Sequence, residues 1–181
     1  MAKILEFKNR FEVSNKTETS GEILLYSAIG ESFFGESISA KDFKKKLSEL
    51  PKSVKQVDLR INSPGGSVFD GMAIYELIKS HPAKFTAYID GISASIASVI
   101  MLAADEIIIG EGALVMIHKP MSGIYGNSNE MLRVVEVLDK IEGQMINLYA
   151  KRTKLTRSEI TSAVSAETWF TAEEAIEAGL A

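Results

Sequence analysis

Residues 84–102 constrain this chain more than any other stretch. Lys84-Phe85-Thr86-Ala87-Tyr88-Ile89 is rich in β-branched and aromatic residues and stops at Asp90-Gly91, which predicts a strand. The residues from Ile92 to Leu102 are small and apolar with no breaker, which predicts a buried helix. A serine at such a strand–turn–helix junction sits where the first helical N–H groups are unpaired and the helix dipole is positive. Negative charge that develops during acyl transfer is stabilised in such a place. The G-x-S-x-G elbow is not intact here, so a small-residue helix whose serines are merely tolerated fits the same stretch. Chemistry alone does not choose among Ser93, Ser95 and Ser98.

Elsewhere the chain alternates strand and helix signals. Phe7, Phe11 and Val13 suit a short strand within a mixed N-terminal segment, residues 1–21. Residues 22–29 read as a strand. Ser39 is a candidate N-cap for a helix running to Leu50 before Pro51, and residues 54–61 alternate as a strand does. Asn62-Ser63-Pro64-Gly65-Gly66-Ser67 is a turn cluster before a helix over Val68–Lys79. Paired glycines there fit either a tight connection or a backbone wall beside a ligand. Neither a P-loop nor G-x-G-x-x-G is present.

Short strands at residues 106–110 and 113–117 follow, the second ending at His118-Lys119-Pro120. The chain has two histidines. His118 is a candidate general base, and His81 reads as a helix C-terminal cap favourable to the dipole. A helix beginning at Asn127 or Ser128 reaches about Arg152, with Met131, Val134, Leu138, Ile141, Met145 and Leu148 on one stripe. Its length suggests projection and packing against another subunit, and Gly143 suggests close packing or a kink. Thr156 and Thr171 open two further helices with a glutamate three residues on, and residues 166–170 between them read as a strand. The alternation predicts one α/β domain over residues 1–181 with a largely parallel sheet.

Bulk composition narrows the classes. Net charge of −4 without a long basic block argues against nucleic acid as the main partner. No cysteine is present, so disulfides, thiolate metal sites and a cysteine nucleophile are excluded. No H-E-x-x-H pairing occurs, and no metal site is expected. The longest apolar run, near residues 96–104, is too short to span a bilayer, and the N-terminus lacks a signal-peptide core. A cytoplasmic protein with no membrane partner is the expectation.

Three stretches occur in order: residues 61–68 (Ile-Asn-Ser-Pro-Gly-Gly-Ser-Val), residues 91–97 (Gly-Ile-Ser-Ala-Ser-Ile-Ala) and residues 115–120 (Val-Met-Ile-His-Lys-Pro). Together they resemble the proteolytic subunit of the Clp protease, over roughly residues 22–180. The resemblance implies a ClpP/crotonase-like fold and a serine endopeptidase that uses no cofactor. By motif position it implies Ser95 as nucleophile, His118 as general base, and Gly65 and Ile96 as oxyanion donors, with Gly66 the alternative to Gly65. Gly66 and Ser67 would border an extended peptide substrate. The family's acidic member is usually aspartate, and here Glu167 stands at the matching place, with Asp139 and Glu142 as weaker substitutes. The resemblance further implies a homo-oligomeric ring, stacked heptamers in the family, with residues 127–152 as the handle between rings. Any ATP-driven unfolding would need a separate ATPase, since no Walker motif is present. Residues 68–71 and 167–174 look more like ClpP-like proteases of phages and prophages, which implies capsid maturation. A catalytically latent ring or scaffold subunit and an enoyl-CoA hydratase-like enzyme are the competing readings.

Overall fold

The computed structural model describes residues 10–30 and 37–181. Phe7, expected to join the first strand, lies outside them. In chain order the elements are β1 (Arg10–Asn15), β2 (Ser20–Tyr26), β3 (Ala28–Ile29), β4 (Ser37–Ile38), α1 (Ala40–Leu47), β5 (Gln56–Ser63), α2 (Val68–Lys79) and β6 (Lys84–Ala94). They continue with α3 (Ile96–Met101), β7 (Glu106–Ile109), β8 (Leu114–Ile117), α4 (Ser128–Arg152), α5 (Arg157–Ser165), β9 (Thr168–Phe170) and α6 (Ala172–Ala178).

The main sheet runs β1-β2-β5-β6-β8-β9, with β7 also paired to β6. All its pairings are parallel except β1 with β2 and β8 with β9. The expected α/β fold with a mainly parallel, ClpP-like sheet is therefore the one observed. Alternation positions the core. Val57, Leu59 and Ile61 of β5 point inward and are fully buried, as are Ile23 and Leu25 of β2. Each such side chain contributes on the order of 1.5–3 kcal/mol when removed from water. The opposite face is polar: Arg60 pairs with Asp90, which also accepts a hydrogen bond from Tyr26 Oη at 2.5 Å.

Several boundaries differ from the sequence expectation. The strand expected over residues 22–29 breaks at Ser27, whose carbonyl accepts from Ser63 Oγ–H. Ser39 does cap α1, accepting from Asp42 N–H, but the helix ends at Leu47 rather than Leu50. In the central stretch β6 does not stop at Asp90-Gly91. It continues to Ala94 because Ile92, Ser93 and Ala94 find new partners in Leu114, Val115 and Met116. The helix that follows is correspondingly short, and all six of its residues are buried. The strand expected over residues 166–170 is confined to Thr168–Phe170.

Helix α4 matches its expected span, capped by Asn127 in a capping box with Glu130. Only its C-terminal half joins the core, through Met145, Ile146 and Tyr149. Met131, Leu132, Val135 and Val137 are exposed. Gly143 makes no close packing among the described residues, since a Cβ there would meet nothing within 4 Å. His81 also departs from expectation. Its Nδ1 accepts a hydrogen bond from Ala83 N–H at 3.2 Å, its ring meets Phe85 edge-on, and burial pushes its pKa below the ordinary 6.5. A neutral acceptor, not a cation on the helix dipole, is what this environment favours.

Two predictions follow from these contacts. A Cβ at Gly71 of α2 would lie 2.1 Å from Cγ1 of the fully buried Ile96. Gly71→Ala therefore loses about 1–3 kcal/mol to overpacking, outweighing a helix-propensity gain of about 1 kcal/mol. A lower urea midpoint is the expected reading. For His81 the unfolded chain takes up its proton first as pH falls, so its contribution is complete above 6.5 and is lost as pH drops through the lower folded value. His81→Gln should flatten the acid limb of the stability profile, and an unchanged limb would remove His81 as its source.

Candidate active site

Ser95 is the N-cap of α3 and holds φ 54°, ψ −127°, a region that side-chain-bearing residues avoid. Such strain costs on the order of 1–3 kcal/mol and persists only where surrounding contacts over-determine it. Here they do. Ser95 N–H donates to the Met116 carbonyl at 2.9 Å, extending the β6–β8 ladder. The Ser95 carbonyl accepts from Ser98 N–H at 3.0 Å and from Ser98 Oγ–H at 2.5 Å. The sharp turn sets Ser95 at the C-terminal end of the central strand β6, although the local sequence is not the usual elbow.

His118 follows β8 directly. Pairing of Ala94 with Met116 places the ends of β6 and β8 side by side, so residues 23 apart in sequence meet. His118 Nε2 lies 2.7 Å from Ser95 Oγ, and its side chain is largely buried. The other two serine candidates are set aside by burial. Ser93 is fully buried with its hydroxyl unpartnered among the described residues, and Ser98 is fully buried against Tyr149 Oη at 2.7 Å.

Glu167 arrives from the opposite edge. Antiparallel pairing of Ile117 with Thr168 sets Glu167 beside His118. Its Oε2 stands 4.0 Å from His118 Nδ1, an ion-pair distance but too long for a hydrogen bond, and its side chain is 58% exposed. Its backbone is left-handed, φ 52°, because it is the residue just past the C-cap of α5. Glu142 instead pairs with Lys119 at 3.3 Å. For Asp139 no contact brings it to His118 among the described residues.

The glycine turn forms the facing wall. Gly65 and Gly66 have φ of 88° and 146°. A Cβ at Gly65 would lie 2.6 Å from the Ala94 carbonyl oxygen and 2.8 Å from Ser95 Cβ, so only glycine lets this loop reach the serine. Its N–H, expected to serve an oxyanion, already donates to Ser63 Oγ at 3.2 Å. No described residue accepts from Gly66 N–H, which lies next along the same loop. Ser67, expected to border substrate, is committed otherwise. Its N–H donates to the Ile29 carbonyl, and its hydroxyl accepts from Asp70 N–H while donating to the Asp70 carboxylate. Ile96 N–H, at the first position of α3, has no intrahelical acceptor.

Ser95, His118, Gly65 and Gly66 line a cleft of about 350 Å³. An apolar groove of about 360 Å³ continues from it, walled by Val68, Phe69, Met121, Val134, Leu138 and Ile141. The hydrogen bond from Ser98 to the Ser95 carbonyl and the Tyr149 contact behind it could not be foreseen. Their only sequence signal was one serine among three and one aromatic on a long apolar stripe.

Fold and site together give an α/β protein with a serine and a histidine in hydrogen-bond contact at the ends of two neighbouring strands. Comparison with known sequences gives the particular family. The sequence model of the Clp protease family matches residues 11–181. Proteolytic subunit 1 of the ATP-dependent Clp protease from Chlamydia abortus is 34% identical over 158 residues, 82% of each chain. The subunit 1 of Chlamydia pneumoniae is 35% identical over the same share. Subunit 2 of Corynebacterium efficiens is 33% identical over 131 residues, 70% of this chain and 64% of the relative. The chain belongs to the Clp protease family, and hence to a family of peptidases. No helix among the described residues is long and apolar enough to cross a membrane.

Proposed function

We propose that this chain is a single-domain serine endopeptidase in which Ser95 attacks a peptide carbonyl and His118 takes its proton. The 2.7 Å contact between Ser95 Oγ and His118 Nε2 carries this reading. As Oγ bonds to the carbonyl carbon, the proton moves to Nε2 and negative charge collects on the carbonyl oxygen. The Ile96 N–H and the Gly66 N–H receive that charge. Gly66 replaces Gly65 in this role because the Gly65 amide is already committed to Ser63. His118 then protonates the leaving amine, and water resolves the acyl-enzyme on Ser95.

An extended polypeptide adds beside Gly65 and Gly66 as a strand, so main-chain bonds supply affinity. The apolar groove toward α4 receives a neighbouring side chain. Neither step calls for a metal or organic cofactor. The exposed apolar half of α4 supports assembly with further copies, in the ring of stacked heptamers that the family resemblance implies. The relatives are named ATP-dependent, and this chain carries no Walker motif, so ATP-driven unfolding would fall to a separate ATPase. The cytoplasm is the compartment we propose. A role in phage or prophage capsid maturation rests on residues 68–71 and 167–174. A reading frame beside portal and major-capsid genes supports it, and an isolated housekeeping context opposes it.

One observation favours a second reading, a latent subunit. Glu167 stands 4.0 Å from His118 and is mostly exposed, so the acid is not engaged within the single chain. A fluorophosphonate probe with peptide mass mapping separates the two. An active site takes the label at Ser95, loses it in Ser95→Ala, and reacts about 10³-fold or more slowly in His118→Ala. A folded oligomer that takes no label is the latent subunit. For the acid, Glu167→Gln should slow labelling only about tenfold, well short of the ~10⁴-fold loss of a fully engaged triad aspartate. A loss near 10⁴ would mean that assembly draws Glu167 onto His118.

A further inference from the structure

We propose that Tyr149 and Ser98 are positioning residues that fix the peptide plane between Ser95 and Ile96, and so aim the Ile96 N–H at the reacting oxygen. This rests on the reading of Ser95 as nucleophile and Ile96 N–H as oxyanion donor.

The direction of the hydrogen-bond chain is forced by its chemistry. A carbonyl oxygen only accepts, so the 2.5 Å contact between Ser98 Oγ and the Ser95 carbonyl spends the single Ser98 hydroxyl proton. The 2.7 Å contact between Ser98 Oγ and Tyr149 Oη must then be donated by the phenol. Burial pushes the Tyr149 pKa up, which keeps that proton in place. Tyr149 is itself anchored in the core on α4, beside Met145 and Ile146. Ser98 and Tyr149 are both inaccessible to solvent, so no water competes for these bonds.

The consequence lies at the other end of the same peptide unit. The bond between Ser95 and Ile96 is trans, so the C=O and the N–H point in opposite directions within one rigid plane. Ser98 grips the carbonyl twice, through its N–H and its hydroxyl. Fixing that oxygen fixes the Ile96 N–H on the far side, where Ser95 Oγ and His118 meet. With the strained φ of Ser95, this plane has a reason to rotate and needs a lock. The lock also joins the turn to α4, 51 residues further along the chain.

The test uses a fluorophosphonate, whose phosphoryl oxygen takes the oxyanion position when Ser95 is labelled. Wild type, Ser98→Ala and Ser98→Ala/Tyr149→Phe are compared for kinact, KI and Tm as assembled protein. Ser98→Ala strands the Tyr149 hydroxyl in the core, so Tm falls. The double variant removes that hydroxyl too and recovers most of the Tm. A positioning role leaves kinact about tenfold low in both variants with KI unchanged. Recovery of kinact together with Tm in the double variant would overturn the proposal, as would a change confined to KI. If mapping finds no label on wild-type Ser95, the reading of the nucleophile falls and the proposal with it. Wild-type labelling at Ser95 combined with full-rate variants removes the proposal alone.

Discussion

Three residue pairs at the end of β6 decide whether this protein has a site at all. Ile92, Ser93 and Ala94 leave the neighbourhood of β7 and pair with Leu114, Val115 and Met116 of β8. That exchange of partners carries β6 past Asp90-Gly91 to the serine, and it sets His118 level with Ser95. A slip of one residue would turn every β8 side chain to the opposite face and break the 2.7 Å contact. The buried residues on both strands hold the register, since Val115 and Ile117 are core residues that cannot be turned out cheaply.

Around that register the strain is concentrated in one turn and opposed from several sides. Ser95 takes a left-handed backbone, Gly65 approaches to within contact distance of it, and Gly71 leaves room for Ile96 behind it. Three glycines around this turn leave no room for a larger residue. Gly65 must clear the Ala94 carbonyl, Gly66 must clear the Ile29 carbonyl, and Gly71 must clear a buried side chain. Polar atoms then fix what packing leaves free. Ser63 holds the Gly65 amide, and Ser98 holds the Ser95 carbonyl. Both hydroxyls hold backbone groups of the segments that meet at Ser95.

Helix α4 links the site to whatever lies outside the chain. Its C-terminal half supplies Tyr149 to the core, its middle supplies Glu142 to Lys119 next to His118, and its N-terminal half exposes Met131, Leu132 and Val135. A partner covering the exposed end would therefore act on the same helix that contacts the Ser95 turn through Tyr149 and Lys119 through Glu142. Glu167 sits at the complementary weak point. Its left-handed backbone and exposure leave its carboxylate 4.0 Å from His118 Nδ1, beyond hydrogen-bond reach.

Local chemistry made much of this legible. Ser39, Thr156 and Thr171 each capped the helix they were expected to cap, and Asn127, one of two expected starts, caps α4, because capping needs only a short polar side chain and the next turn of backbone. The span Val68–Lys79 followed from the turn cluster before it, and the long α4 from its apolar periodicity. The resemblance of three short motifs indicated which serine and which histidine to consider. Some unforeseen features depend on residues far apart in the chain, others on burial and on side-chain hydrogen bonds a few residues away. Whether β6 ends at Gly91 or Ala94 depends on β8, and whether His81 is a cation depends on Phe85 and burial. Which glycine amide is free depends on a serine hydroxyl that folds back on it. Sequence determined the elements and the residue types at the site. Tertiary structure decided their register, burial and hydrogen-bond partners, because those energies exist only once distant segments exclude water from between them.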